Sequence, residues 1–461
     1  MKFKQGIDAN QEFLFPKKPS DFLSDDHLAK TVYEVVNLLD LNNIESKYSV
    51  LGQKAYSPRM LVRILFYGYS VSVRSSRKIA KSCDERFDFV YLTDGLKPSH
   101  DRISDFRKDN LEELKELFQE IVLMGCNLGL ANFGNIKTSI DGTKVKANAS
   151  AKLSKDEEEL KKLLKKTKKE IDEMFEEAEQ IDKEEDEKYG KKNRGDELPE
   201  HLRSKKSREK AIQEAYEKLK KQKEQLKEKI LKEKNREPTK NEMKKIEKTK
   251  INITDHDAKF MKQRNGVIKP NYNAQISVDE KNQFILANDV TTECNDQHQL
   301  IPMLKQTKKN IKENPKQAKA DNGYFSQLEN ATKLFPEIDL YIDDKNRRKK
   351  ELDLKKIKQK YSKTQYKNLK KLLSKKGNAE YKKRMHTAEP PFGNIKHNLG
   401  YRNFLLRGLK KVKGEFNLMC IAHNLKKIVS FLTKKGTNLA TALKNLKNIT
   451  KNKINNELNT A

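Results

Sequence analysis

Ile136-Lys137-Thr138-Ser139-Ile140-Asp141-Gly142-Thr143-Lys144-Val145 is the stretch on which the reading of this chain turns. Its β-branched residues alternate with polar ones, as in a half-buried strand, and an acid sits in its middle. Upstream, residues 20–130 read as helical. Leu61-Val62-Arg63-Ile64-Leu65-Phe66-Tyr67 is a buried-type segment, and Leu111, Leu114, Leu117, Phe118, Ile121 and Val122 fall at helical spacing. Between them, Ser75 to Cys83 and Pro98 to Arg107 form two short amphipathic pieces. As two short helices they would present basic faces, Arg74, Arg77 and Lys78 on one and Arg102, Arg107 and Lys108 on the other. Two readings stand side by side here: a helix-turn-helix-like DNA reader, or a small bundle with solvated charges.

Downstream the pattern is interrupted and then resumes. Residues 151–250 carry 32 basic and 27 acidic side chains, with a thin apolar seam of Leu160, Leu163, Leu164, Ile171, Phe175, Leu219, Leu226, Ile230 and Leu231. A charged helical hairpin or coiled-coil arm inserted into another fold has this composition, the seam forming its own core. Asp255 and Asp257, flanking His256, are read as caps at the base of the insertion. Tyr272 to Val278 alternates as a strand, Asp279 to Asn282 turns, and Phe284 to Val290 returns as a buried strand. A helix over 295–312, a short strand into Lys319-Ala320-Asp321, a helix from Ser326 and a strand at Ile338 to Ile342 follow. Without the insertion the order is β, β, β, α, β, α, β, then helices. That is the order of an RNase H-like layer, so the expected class is α/β (α+β): an RNase H-like core preceded by a helical domain and split by an insertion after its first strand. The expected divisions are 1–130, 131–430 with 151–250 inserted, and a basic tail at 431–461.

The charge supports a partner of opposite sign. The 461 residues hold 98 Lys+Arg against 67 Asp+Glu, a net charge of +31. Residues 344–461 alone hold 32 basic and 7 acidic side chains, +25 of that total. A field so concentrated attracts a polyanion, and each neutralised phosphate releases condensed counterions. No apolar run approaches the ~18–20 residues of a membrane span, and Met1-Lys2-Phe3-Lys4-Gln5 leads into no apolar signal core. Cys83, Cys126, Cys294 and Cys420 lie far apart, which fits neither a zinc ribbon nor a disulfide framework. A cytoplasmic protein is expected.

Three acids fall on matching elements of this order. Asp141 lies on the first strand, Asp321 ends the fourth, and Glu389 lies on a helix after the fifth. Carboxylates without a His/Cys cluster favour Mg²⁺ or Mn²⁺ over zinc. Two such ions, about 3.5–4 Å apart, activate a water or 3′-hydroxyl and stabilise the leaving oxygen of a phosphodiester.

With these residues in view, the chain resembles the DDE-type insertion-sequence transposases, in the branch with a helical InsH-like N-terminal domain and a Tyr-Arg-Glu-Lys motif around the third acid. Tyr56-Ser57-Pro58-Arg59 and Ser99-His100-Asp101-Arg102-Ile103-Ser104-Asp105-Phe106-Arg107 are similar to the N-terminal domain. Ser139 to Ala147 is similar to the first-acid segment, and Ala320-Asp321-Asn322-Gly323-Tyr324 to the second. Thr254 to Lys259, Gly266 and Tyr272-Asn273-Ala274-Gln275 are similar to the re-entry after the insertion. The resemblance implies Asp141, Asp321 and Glu389 as catalytic metal ligands, with Tyr381, Arg384 and Lys396 positioning DNA phosphates; Lys144, three residues after the first acid on the same strand, is a further candidate for touching a phosphate. One departure stands out. Four residues separate Arg384 from Glu389 where the commonest pattern has three, while Glu389 to Lys396 keeps its gap of six.

The implied function is cleavage at terminal inverted repeats followed by joining of the ends to target DNA. The implied partners are double-stranded DNA and a second copy of the chain in synapsis, in a bacterial, nucleoid-associated setting. A transposase-derived DNA-binding protein without activity and an RNase H-fold nuclease are the alternatives.

Overall fold

The computed structural model describes residues 18–49, 54–165, 173, 205–263, 266–348, 352–437, 439 and 441–442. These group into two compact units, one of 1–109 with 429–461 and one of 110–428. The helix Leu111–Leu128, which the sequence reading grouped with the N-terminal region, falls in the second unit. Among the described residues no helix is long and apolar enough to cross a membrane.

The first unit is helical. Its helices α1 (Leu28–Leu38), α2 (Asn42–Glu45), α3 (Pro58–Ser70), α4 (Ser76–Glu85), α5 (Phe87–Thr93) and α6 (His100–Asp109) gather round α3. Pro58 opens α3, where a missing N–H costs nothing, and the helix is buried from Met60 to Ser70. Burial on every face forces Arg63, the arginine within the buried stretch, to find its partners internally. Arg63 bonds Asn37 Oδ1 at 2.8 Å, reaches Asp94 at 3.3 Å and lies 3.7 Å over the Tyr33 ring. Arg107 is also internal, donating to Tyr69 Oη, the Arg74 carbonyl and Ser76 Oγ. Arg74 and Arg107 therefore hold α4 and α6 together and do not form an outer basic face. The exposed bases of these two helices are Arg77, Lys78, Lys81, Arg102 and Lys108.

The second unit begins with α7 (Leu111–Leu128), whose buried side is the predicted set Leu111, Leu114, Leu117, Phe118, Ile121 and Val122. A mixed sheet follows, built from β1 (Lys137–Lys146), β4 (Lys259–Lys262), β5 (Ile268–Asp279), β6 (Ile285–Thr291), β7 (Gln317–Ala320) and β8 (Asp339–Ile342). The strand order is β4-β5-β1-β7-β8, and β6 also pairs with β5. β1 runs antiparallel to β5 and parallel to β7, and β7 runs parallel to β8. Helices α11 (Leu300–Ile311) and α12 (Leu328–Leu334) cover one face, where Ile140, Ala318, Ala320, Leu340 and Ile342 meet Met303, Leu304 and Leu328.

Two short strands, β2 (Ser154–Lys155) and β3 (Ile251–Asn252), pair antiparallel and close the base of the inserted block. Between them run α8 (Glu157–Lys165), α9 (Lys205–Lys234) and α10 (Lys240–Glu247). Their core joins Leu153, Leu160, Leu163, Ile212, Ala215, Leu219, Ile251 and Ile253. The apolar seam ends there: Leu164, Leu226 and Leu231 are exposed, contrary to the expectation of a continuous core. Ile171, Phe175 and the Gly190 to Pro199 break lie outside the described residues, as does most of the 431–461 tail. Asp255 sits at the foot of the block, accepting from Tyr272 Oη at 2.7 Å and the Gly408 N–H at 3.1 Å, and Asp257 takes the Leu409 N–H at 2.9 Å.

Helices α13 (Leu354–Lys360), α14 (Lys363–Leu373), α15 (Lys375–Gly393) and α16 (Leu409–Lys434) complete the chain. The β5–β6 turn locks α15 and α16 in place through Gln283. Pro390 removes the N–H that would bond the His386 carbonyl within α15, and Gln283 Nε2 fills that role at 2.9 Å. The Gln283 carbonyl accepts from His423 Nε2 at 2.9 Å, while His423 Nδ1 faces Asn394 Nδ2 at 3.0 Å. His423 is thus a neutral tautomer, and burial pulls its pKa down to about 4. A folded-state value below the unfolded one gives stability that is complete above the unfolded pKa and lost as pH falls toward about 4. Between pH 7 and pH 4 this residue should account for a loss on the order of 3 kcal/mol. Urea denaturation of the His423→Gln protein should lack that component; an unchanged pH slope would contradict the assignment.

Candidate active site

Strand register brings the first two acids together. In the parallel β1–β7 pair, Thr138 lies opposite Ala318 and Ser139 opposite Lys319. Two residues further along, Asp141 and Asp321 stand level. The β7–β8 register, Ala320 opposite Ile342, sets Asp343 level with them in turn. Because side chains alternate across a strand, Ile140 enters the core under α11 and α12 and Asp141 points to the opposite face. Asp141 is 7% exposed. Burial, offset in part by Arg384 and reinforced by the charge of Asp321, pushes its pKa up to about 6. Asp321 is raised for the same reasons, burial first, Arg384 opposing it, with Asp296 and Asp343 adding repulsion.

Helix α15 crosses this face on two rungs. Lys319, fully buried, reaches Glu380 Oε1 at 2.9 Å and also pairs with Glu280. Two residues along a strand advance about 6.6 Å and four along a helix about 6 Å, so one helical turn past Glu380 comes level with the acids. Arg384 occupies that position, its Nη1 3.4 Å from Asp141 Oδ1. Its Nε and Nη1 are buried and make no hydrogen bond. The guanidinium thus neutralises the acid pair by proximity while keeping donors unused.

A polar network fixes the neighbouring strand. Tyr324, wholly buried, donates its hydroxyl to Gln275 Oε1. Gln275 Nε2 donates to Asp296 Oδ1 at 2.7 Å and to Asn273 Oδ1 at 3.0 Å, and Asn273 Nδ2 donates to Asp296 Oδ1 at 2.7 Å. The Tyr-Asn-Ala-Gln and Asp-Asn-Gly-Tyr segments, far apart in sequence, meet here.

The remaining predicted residues are placed as follows. Tyr381 is buried with Tyr341 and Leu372, under the Arg347 guanidinium at 4.7 Å and beside Arg384. Lys144 Nζ lies 3.6 Å from Asp296 Oδ1. Lys396 Nζ donates to Thr143 Oγ1 at 2.7 Å and to the Lys144 carbonyl at 2.8 Å, at the end of β1. Glu389 is exposed. Five residues past Arg384 it lies about 140° further round the helix, and the buried Ala388 takes the place one turn on. Among the described residues no group of three or more His, Cys, Asp or Glu side chains is arranged to hold a metal. The structure therefore gathers Asp141, Asp321 and Arg384, and leaves Glu389 apart from them. Asp296, Asp343 and Lys319 were not singled out in the sequence, where they are ordinary members of a chain rich in charge. The only sign was the glycines: Gly142 follows Asp141, and Gly323 follows Asp321 by two.

The donor set suits a hard cation. Two carboxylates of like charge, one buried and one half-buried, with no sulfur or imidazole beside them, match the preferences of Mg²⁺ or Mn²⁺. The nearby guanidinium already answers part of that charge.

Comparison with known families agrees with this class. Residues 344–429 match the family model described as Transposase DDE domain, and residues 18–109 match that described as Transposase domain (DUF772). The first match contains Tyr381, Arg384, Glu389 and Lys396; Asp141 and Asp321 lie outside both. The two matches support a DDE-type insertion-sequence transposase, and the DDE domain suggests an enzyme of the polynucleotidyl-transferase type. No curated protein and no solved structure matches the chain.

The Lys319 rung gives a direct test of how α15 is held. Replacing Lys319 by Met leaves Glu280 without its cation while Glu380 keeps Lys383 at 2.6 Å and Lys137 at 3.5 Å, so the cost should be about 2–3 kcal/mol, below that of a wholly uncompensated buried charge. Urea denaturation of Lys319→Met should show a loss of that size; a change below about 1 kcal/mol would mean the pair does not hold the helix.

Proposed function

We propose that the protein is a DNA transposase that binds the terminal inverted repeats of its element, cuts beside them and joins the 3′ ends to target DNA. The observation that carries this reading is the level pair of buried Asp141 and half-buried Asp321 on neighbouring parallel strands. The strand order supports an RNase H-like core. Numbered in sequence within the layer, β6-β5-β1-β7-β8 reads 3-2-1-4-5, with the second strand antiparallel to its neighbours.

In this reading Asp141 and Asp321 hold Mg²⁺ or Mn²⁺. Glu389 is the third ligand on the strength of its Glu-x6-Lys spacing alone. A bound ion would raise the acidity of the attacking hydroxyl and stabilise the departing oxygen. The chain's own groups do the positioning. Arg384, whose Nε and Nη1 keep unused N–H groups beside the acids, can take a non-bridging oxygen of the scissile phosphate. Tyr381 and Asp343 flank it. Lys396, anchored to the end of β1, and Lys144 supply positive charge along the approaching strand. Exposed lysines of α13–α15, among them Lys355, Lys358, Lys363, Lys367, Lys375 and Lys376, form a basic surface suited to the DNA backbone. Arg77, Lys78 and Arg102 of the helical unit suit contact with repeat sequence. Two DNA ends call for two copies of the chain.

The exposed position of Glu389 favours a second reading, a transposase-derived DNA-binding protein that no longer cuts. One experiment separates the two: cleavage of a labelled duplex carrying the DNA that flanks the gene, with Mg²⁺, Mn²⁺ or EDTA. Metal-dependent cuts at defined positions are expected, together with their loss, at least a thousandfold, in Asp141→Asn and Asp321→Asn while salt-sensitive DNA binding persists. Binding without cutting under every metal would establish the second reading, and cuts at random positions a nuclease.

A further inference from the structure

The acid pair has a third carboxylate close by. Asp296 lies between β6 and α11, and its Oδ1 accepts from both Asn273 and Gln275 at 2.7 Å. In the β1–β5 register Gln275 is opposite Gly142 and Asn273 opposite Lys144. A Cβ added to Gly142 would come within 2.7 Å of Asp296 Oδ1 and 2.2 Å of Gln275 Nε2. A Cβ added to Gly323 would lie 3.5 Å from Asp296 Cβ and 3.6 Å from its Oδ2. Gly142 therefore makes room for Gln275 and Asp296, while the tight contact at Gly323 is with Asp321 Oδ1 at 2.9 Å and Asp296 lies beside it at ordinary contact distance.

Tying the strands together does not require a charge. An asparagine oxygen would accept the same two hydrogen bonds, and it would spare Asp141 and Asp321 the repulsion that a third carboxylate imposes on them. Charge counting shows what the carboxylate adds. Arg384 faces Asp141 and Lys144 faces Asp296, while Asp343 is answered by Arg347 at 2.8 Å. Three acids (Asp141, Asp321, Asp296) less two cations (Arg384, Lys144) leave one net negative charge; without Asp296 the count is zero.

We propose that Asp296 is a positioning residue of this centre, holding Asn273, Gln275 and Lys144 around Asp141 and supplying the net negative charge that draws a divalent cation to the pair. This rests on the function proposed above and adds to it a residue that tunes cation affinity without being one of the three acids of the motif.

The test measures Mn²⁺ binding by electron paramagnetic resonance on the full-length protein without DNA, with Asp141→Asn as reference and thermal melting in EDTA as a control of folding. Asp296→Asn keeps both hydrogen bonds and loses the charge, so it should melt near the wild-type temperature and bind Mn²⁺ about five- to tenfold more weakly. Lys144→Met removes a neutralising charge and should shift affinity the opposite way, toward tighter binding. That opposite sign is something a merely structural role would not produce, and it decides the matter if Asp296→Asn fails to fold. Unchanged Mn²⁺ affinity in Asp296→Asn, or unchanged or weaker binding in Lys144→Met, overturns the inference. If Asp141→Asn binds Mn²⁺ as the wild type does, the metal site itself is wrong and the role of Asp296 falls with it.

Discussion

The parallel pairing of β1 with β7 sets where everything else in the second unit must go. Its register aligns Ser139 with Lys319 and so brings Asp141 level with Asp321. A slip of one residue would turn one acid into the apolar layer beneath α11 and α12 and carry Ile140 or Ala320 out of it. Burial of Ile140, Ala318, Ala320 and Ile342 in one cluster holds the register against such a slip. The hydrophobic core on one face thus determines the geometry of the charged centre on the other.

Two like charges held together in a desolvated place need compensation, and the sequence supplies it in layers. Lys319 is committed to Glu280 and Glu380, which fixes the height of α15 over the sheet. That height puts Arg384 against Asp141. On the other side, the Tyr324–Gln275–Asp296–Asn273 network fixes β5 and the loop before α11. Segments whose spacing resembled a family motif become intelligible as one hydrogen-bonded unit: Tyr324 sits three residues past Asp321 because its hydroxyl must reach Gln275, Gly142 lacks a side chain because Gln275 and Asp296 fill the space, and at Gly323 the close neighbour is the Asp321 carboxylate.

Much of this was legible in the sequence. Period-two alternation marked β1 and β5, and helical spacing marked the buried side of α7. The acids Asp141 and Asp321 were identified by their elements and neighbours. Strand β4 escaped because Lys259–Lys262 is four residues long with a lysine at each end, and pairing across Gly266 with β5 overrides that local pattern. The insertion's seam was overextended. Leucines at helical spacing bury only where a partner faces them, and Leu226 and Leu231 lie beyond the core that ends at Leu219. Asp296 was invisible for a different reason: one aspartate in a loop carries no periodic signal, and its meaning comes from strands that meet only in three dimensions. The four-residue gap before Glu389 was visible from the start. Its consequence, a glutamate rotated off the Arg384 side, follows from helical geometry.

The measurement that bears most directly on the account is iron-directed cleavage of the polypeptide. Fe²⁺ bound in place of Mg²⁺, with ascorbate and peroxide, cuts the backbone beside the ion, and the fragments can be mapped by mass spectrometry. Cuts clustered next to Asp141 and Asp321 and suppressed by excess Mg²⁺ are the predicted result. Cuts centred elsewhere in the chain, or scission with no preferred position, would contradict the claim that strand register has built a cation site from these two acids.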